Sequence, residues 1–159
     1  MIQRIQSLLL LFAFVCLAVA CFIPIGTITT DTMYYSYSTW TLHENIPDGQ
    51  TIYSTFILGI LDIILAVLGL GCIFLYKKRM VQSKICMAGV LLNLIVVILM
   101  LWIYPDILFA KIPAMENQTL NTQYGIGAFL PIISIALFYF ANKFIVNDEK
   151  KVRAADRLR

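Results

Sequence analysis

The sequence predicts an all-α membrane protein: a four-transmembrane-helix bundle with a small β-hairpin or three-strand element in its first outer loop. Three observations predict it. Two apolar runs, 55–76 and 84–105, flank the basic link Lys77-Lys78-Arg79, and about 20 apolar residues at ~1.5 Å each cross a hydrocarbon layer of ~30 Å. The composition is 60% hydrophobic and only 13% charged, with a mean hydropathy of +0.84, where a soluble domain carries about 25% charge. Finally, 11 of the 12 Lys and Arg residues fall on one side of the implied membrane, the side on which basic residues are retained in the cytoplasm.

The 159 residues form a single integral membrane domain with spans near 7–26, 55–76, 84–105 and 125–145. Residues 1–6 are a short polar start with one charge, Arg4. The first run ends in Ala18-Val19-Ala20-Cys21, which matches a leader-cleavage pattern. Because apolar residues continue through Ile25, we expect an uncleaved first span. The outer loop 27–54 has no Lys or Arg. Its Tyr34–Leu42 stretch, rich in aromatic and hydroxyl residues, suits a strand, Pro47-Asp48-Gly49 a turn and Thr51-Ile52-Tyr53 a return. Trp40, Tyr53 and the Tyr cluster are expected at the membrane interface, as are Trp102 and Tyr104, and Pro105 is expected to end the third span. The second outer loop, 106–124, contains the glycosylation sequon Asn117-Gln118-Thr119. Pro131 is expected to bend the fourth span. The tail, 146–159, reads as a short cytoplasmic helix continuing from the fourth span, with Asn147 or Asp148 able to cap it.

Asp62 is the sharpest candidate for chemistry, because a carboxylate near the bilayer centre costs about 2.5–3.5 kcal/mol on insertion scales. Gly59, Asp62, Ala66 and Gly69 share one face of the second span, as do Cys86, Gly89, Asn93 and Val97 on the third. These faces are expected to meet, with Gly59, Ala66, Gly69 and Gly89 allowing close approach. Asp62 and Asn93 then lie inside, at the depth of Ser134 on the fourth span. Such a polar cluster suits a proton relay, an ion relay or a polar ligand site. It equally suits a neutral Asp62 that glues helices together. Lys77, Lys78, Arg79 and Lys84 form a basic cytoplasmic link. The tail's Arg153, Asp156, Arg157 and Arg159, beside Lys150 and Lys151, suit a protein partner or anionic lipid. Cys16, Cys21, Cys72 and Cys86 read as apolar packing residues. His43 reads as a solvated loop residue. No spacing indicates a metal site or a cofactor, no catalytic motif is present, and the basic residues, explained by orientation, do not indicate nucleic-acid binding.

The start Met1-Ile2-Gln3-Arg4-Ile5-Gln6 and the end, from Asp148-Glu149-Lys150-Lys151-Val152-Arg153 through Ala154-Ala155-Asp156-Arg157-Leu158-Arg159, resemble the two ends of one bacterial family. So do Ile73-Phe74-Leu75-Tyr76-Lys77-Lys78-Arg79, with Gln82, and Ala141-Asn142-Lys143. The resemblance is to domain of unknown function 4293, four-span inner-membrane proteins of Gram-negative bacteria. It implies a bacterial inner-membrane location, a bundle with both termini cytoplasmic, and no activity. The expected role is a non-enzymatic accessory or structural subunit of a membrane assembly, embedded in the lipid bilayer. The alternatives are a small transporter or proton-coupled channel component using Asp62, and a ligand sensor built on the outer loop.

Overall fold

The structure, a computed structural model, describes residues 2–30, 33–46, 49–112 and 121–156. The sequon at Asn117, most of the Pro47-Asp48-Gly49 turn, and Arg157 and Arg159 lie outside the described residues, as do the side chains of Arg4, Lys77, Arg153 and Asp156.

The chain is mostly helical. Helix α1 is Ile2–Ala20, α2 is Phe56–Phe74, and α3 (Arg79–Ile98) passes through a π-helical segment, Leu99–Ile103, into α4 (Tyr104–Lys111). Helix α5, Ile126–Asp156, is the longest. Among the described residues, three stretches are long and apolar enough to cross a membrane: Phe56–Phe74, Arg79–Lys111 and Ile126–Val152. The apolar part of α1, Ile5–Ala20, is shorter. Helix α1 packs along α5 and α2, and α3 packs along α5 and α2. Leu10, Ala13 and Leu17 of α1 meet Leu65 and Ala66, Val96, and Phe138, Ala141 and Ile145 in one core. Outward faces are apolar too: Ile63, Val67, Leu94, Ile98 and Ile133 are all exposed. Helices apolar all round belong in a protein core or in lipid.

Among the described residues, five short strands form one antiparallel sheet at one end of the helices, in the order β4-β3-β2-β1-β5. They are β1 (Gly26–Thr29), β2 (Tyr34–Tyr37), β3 (Thr41–Glu44), β4 (Thr51–Ser54) and β5 (Asn121–Tyr124). The expected hairpin or three-strand element is therefore larger by two strands. Strand β1 lies at the edge of the expected first span, and β5 comes from the second outer loop and pairs Gly26↔Tyr124 through Thr29↔Asn121. Ile28, Tyr35, Tyr37 and Leu42 face a second core with Leu58, Met100, Tyr104 and Leu108. Tyr35, Tyr37 and Tyr104 are thus buried beneath the sheet rather than placed in an interfacial belt. Trp102, by contrast, is 76% exposed.

Two expected boundaries move. Pro105 does not end the third span, because the helix shifts register before it. Tyr104 N–H bonds Leu99 O, five residues back, and Pro105, which has no N–H to give, becomes part of a new first turn. At the other end the chain leaves α2 through a 3-10 turn, Leu75–Lys77, and α3 starts at Arg79 instead of Lys84. Helix α5 runs unbroken past Asn147 and Asp148, so the tail helix continues the last long helix, as expected, and neither residue is needed as its cap.

Candidate functional site

The buried stripe of α2 is Leu58, Gly59, Asp62, Leu65, Ala66, Gly69 and Cys72, and that of α3 includes Gln82, Cys86, Gly89, Asn93 and Val96. Heptad-like spacing of small and polar residues puts these groups inside. What meets them differs from expectation. A Cβ on Gly69 would lie 3.1 Å from the Phe138 ring, and one on Gly89 would lie 3.2 Å from it. Both glycines thus make room for an aromatic ring from α5. Gly59 is covered by the Trp40 ring, 2.5 Å from where a Cβ would be.

Asn93 and Ser134 come together. Asn93 Nδ2 donates to Ser134 Oγ and, at 3.2 Å, to Pro131 O, while Ser134 Oγ donates to Pro131 O at 2.8 Å. Asp62 is not hydrogen-bonded to either. Cys72 Sγ and Cys86 Sγ lie 3.6 Å apart, which sets the antiparallel register of α2 and α3. By that register Asp62 is level with Val96, about 4.5 Å along the axis from Asn93 at ~1.5 Å per residue. Asp62 Oδ1 and Asn93 Oδ1 are both buried and, among the described residues, have no hydrogen-bond partner. A buried oxygen without a donor costs about 1–3 kcal/mol, and more when charged.

The sheet end is a second polar site, one that the sequence reading missed. Four side chains at this end donate to backbone carbonyls at helix ends. Thr39 Oγ1 reaches Ala20 O at 3.0 Å, and Trp40 Nε1 reaches Cys21 O at 2.8 Å, covering the carbonyl of the last residue of α1 and the one just after it. Tyr37 OH reaches Met100 O at 3.1 Å, and Tyr124 OH reaches Leu101 O at 2.8 Å. These last two carbonyls are the ones Pro105 leaves open. An α-register would pair residue 105 with Leu101, and a π-register would pair it with Met100. Burial pushes the Tyr37 hydroxyl well above the ordinary tyrosine range, with Tyr104, Tyr124 and Asp62 adding to it. The hydroxyl–aromatic run Tyr34-Tyr35-Ser36-Tyr37-Ser38-Thr39-Trp40 was the available signal.

The opposite end gathers the link and both chain ends. Gln6 Nε2 donates to Asp148 Oδ2 at 2.5 Å, and Ser83 Oγ donates to Asn142 Oδ1 at 2.6 Å. Gln82 Nε2 donates to Cys72 O at 2.9 Å, tying the start of α3 to the end of α2. Lys78, Lys84, Lys143, Lys150 and Lys151 are exposed around this end, and Arg79 is half-buried.

A family model described as "Domain of unknown function (DUF4293)" matches residues 2–158, nearly the whole chain. No curated protein matches it.

Proposed function

Given that this chain belongs to the DUF4293 family, we propose that it is a four-span bundle of a bacterial inner membrane, acting as a non-catalytic accessory or structural subunit of a larger assembly. In this reading α1 is the first of four spans, the sheet faces outward and the link lies in the cytoplasm with both termini. Support for the common side comes from the Gln6–Asp148 bond, which joins the two chain ends beside the basic link. Support for α1 as a span comes from Leu10, Ala13 and Leu17, buried in one core with the three longer helices. The observation that carries the structural role is Phe138, fully buried against Gly69 and Gly89. An aromatic ring occupies the place where a substrate path between those helices would run. Cysteine labelling in intact cells should reach residues of the link and the tail from the cytoplasmic side only. Extraction in mild detergent followed by mass spectrometry should recover a stoichiometric membrane partner. A chain that purifies alone from its native membrane would refute the subunit role.

A second reading is favoured by one observation, the unpartnered Asp62 Oδ1. Under it, Asp62 carries a proton as part of a coupled transporter. Asp62→Asn separates the two: a packing role predicts unchanged assembly and phenotype, whereas a relay predicts loss of a pH-gradient-dependent activity at normal expression.

A further inference from the structure

We propose that the corner between the start of α3 and the C-terminal part of α5 is a binding site for one anionic diacyl phospholipid. A groove there has two adjoining lobes of about 210 and 330 Å³ that share Arg79, Met80 and Glu149 as walls. Lys78, Arg79 and Lys150 bring three cations to it against the single carboxylate of Glu149, which is already engaged within the protein. The remaining lining is largely apolar: Met80, Val81, Ile145, Val146 and Val152. Met80, Val81 and Val152 are more than two-fifths exposed, directly beside the cations. Helix α3 also begins here without a side-chain cap, which leaves its first amides open to an anion. A soluble anion has no use for the apolar wall, and a neutral lipid has none for the cations. An anionic phospholipid uses both.

The level is right as well. The apolar stretch Ile126–Val152 has 27 residues, about 40 Å at ~1.5 Å per residue, which matches a bilayer including its headgroups. The groove lies at the last two turns of that stretch, where phosphates lie. This inference rests on the membrane orientation proposed above, and it involves the first residues of α3 rather than the end of the tail.

The test uses the full chain purified in a neutral detergent, titrated with phosphatidylglycerol, phosphatidylcholine or soluble glycerol phosphate, with bound lipid counted by native mass spectrometry. Phosphatidylglycerol should bind in preference to phosphatidylcholine, and Arg79→Gln and Lys150→Gln should each weaken it about fivefold, as expected for one basic residue at a lipid surface. Lys111→Gln, the same charge loss at the other end, should leave it unchanged. Equal binding of the two lipids, an equal effect of Lys111→Gln, or binding of glycerol phosphate as tight as that of the lipid would each overturn the proposal. Those failures are separable from a wrong orientation, because cysteine labelling of the link reports the side of the membrane independently of lipid preference.

Discussion

The two ends of the helices handle the same problem, open backbone groups at helix ends, in different ways. At the sheet end, Thr39, Trp40, Tyr37 and Tyr124 donate to four backbone carbonyls, at the end of α1 and in the Pro105 register shift. At the link end, the start of α3 has no side-chain cap, and the surrounding side chains are mostly exposed lysines. A buried backbone group has to be satisfied from within the protein, whereas one at a wet, charged surface, such as the first N–H groups of α3, can use water. The sheet end therefore holds the helices in fixed relation, while the link end remains open for contact. If so, substitutions should cost most at the sheet end and least at the link.

The largest effect is expected at Trp40. Trp40→Ala removes the ring that covers Gly59 and the donor to Cys21 O together. Truncation of a packed tryptophan costs about 3–5 kcal/mol, and the half-buried position of Trp40 sets the lower figure. Unfolding in a sodium dodecyl sulfate titration measures this, and a loss below about 1 kcal/mol would show that the sheet merely rests on the helices. Tyr37→Phe comes next. It keeps the ring but leaves Met100 O without a donor in a buried place, at a cost of about 1–3 kcal/mol. Tyr124→Phe should cost less, because Tyr124 is 42% exposed and water can reach Leu101 O. Equal costs for the two tyrosines would contradict the distinction between buried and solvated carbonyls.

Alkaline pH tests the same tyrosines without mutation. The hydroxyl of Tyr37 is held above its unfolded value by burial, and that of Tyr124 is raised by burial and then by Asp106. A raised folded value means that the stabilising contribution is complete below the unfolded value of about 10 and is lost as pH rises above it. Unfolding should therefore begin above about pH 10 together with the appearance of phenolate absorbance. In Tyr37→Phe the protein should be less stable at neutral pH, with a shallower alkaline decline.

The helical part of this architecture was legible because apolar length is a strong signal: both runs around Lys77-Lys78-Arg79 appear as helices within a few residues. The buried position of Asp62 and Asn93 was legible from three- and four-residue spacing, whereas for Ser134 only the matching depth was. The partners were not. Spacing shows which residues share a face but not which helix meets it, so Phe138 filling the space at Gly69 and Gly89 went unseen, and so did Trp40 on Gly59. Strand β5, Asn-Thr-Gln-Tyr, has no apolar alternation and becomes a strand only because β1 offers it an edge. Pro105 read as a stop because proline lacks an N–H; the tyrosines that take over the freed carbonyls are distant in sequence.

The smallest effect is expected at the link end, at Gln6. Its amide donates to Asp148 and is almost fully buried, yet Asp148 itself is only half-buried. Gln6→Leu removes the donor and substitutes an apolar side chain of similar length, while Asp148 can still take up water. A hydrogen bond to a charged group contributes about 1.5–3 kcal/mol when its loss leaves the partner stranded. Here water replaces most of it, so the net loss should be under about 1 kcal/mol. It should also be screened by salt, since one partner is a carboxylate near solvent. A cost for Gln6→Leu as large as that of Tyr37→Phe, and insensitive to salt, would mean that the link end is closed as tightly as the sheet end. The groove beside Arg79 would then have to be regarded as part of a rigid core instead of an open surface.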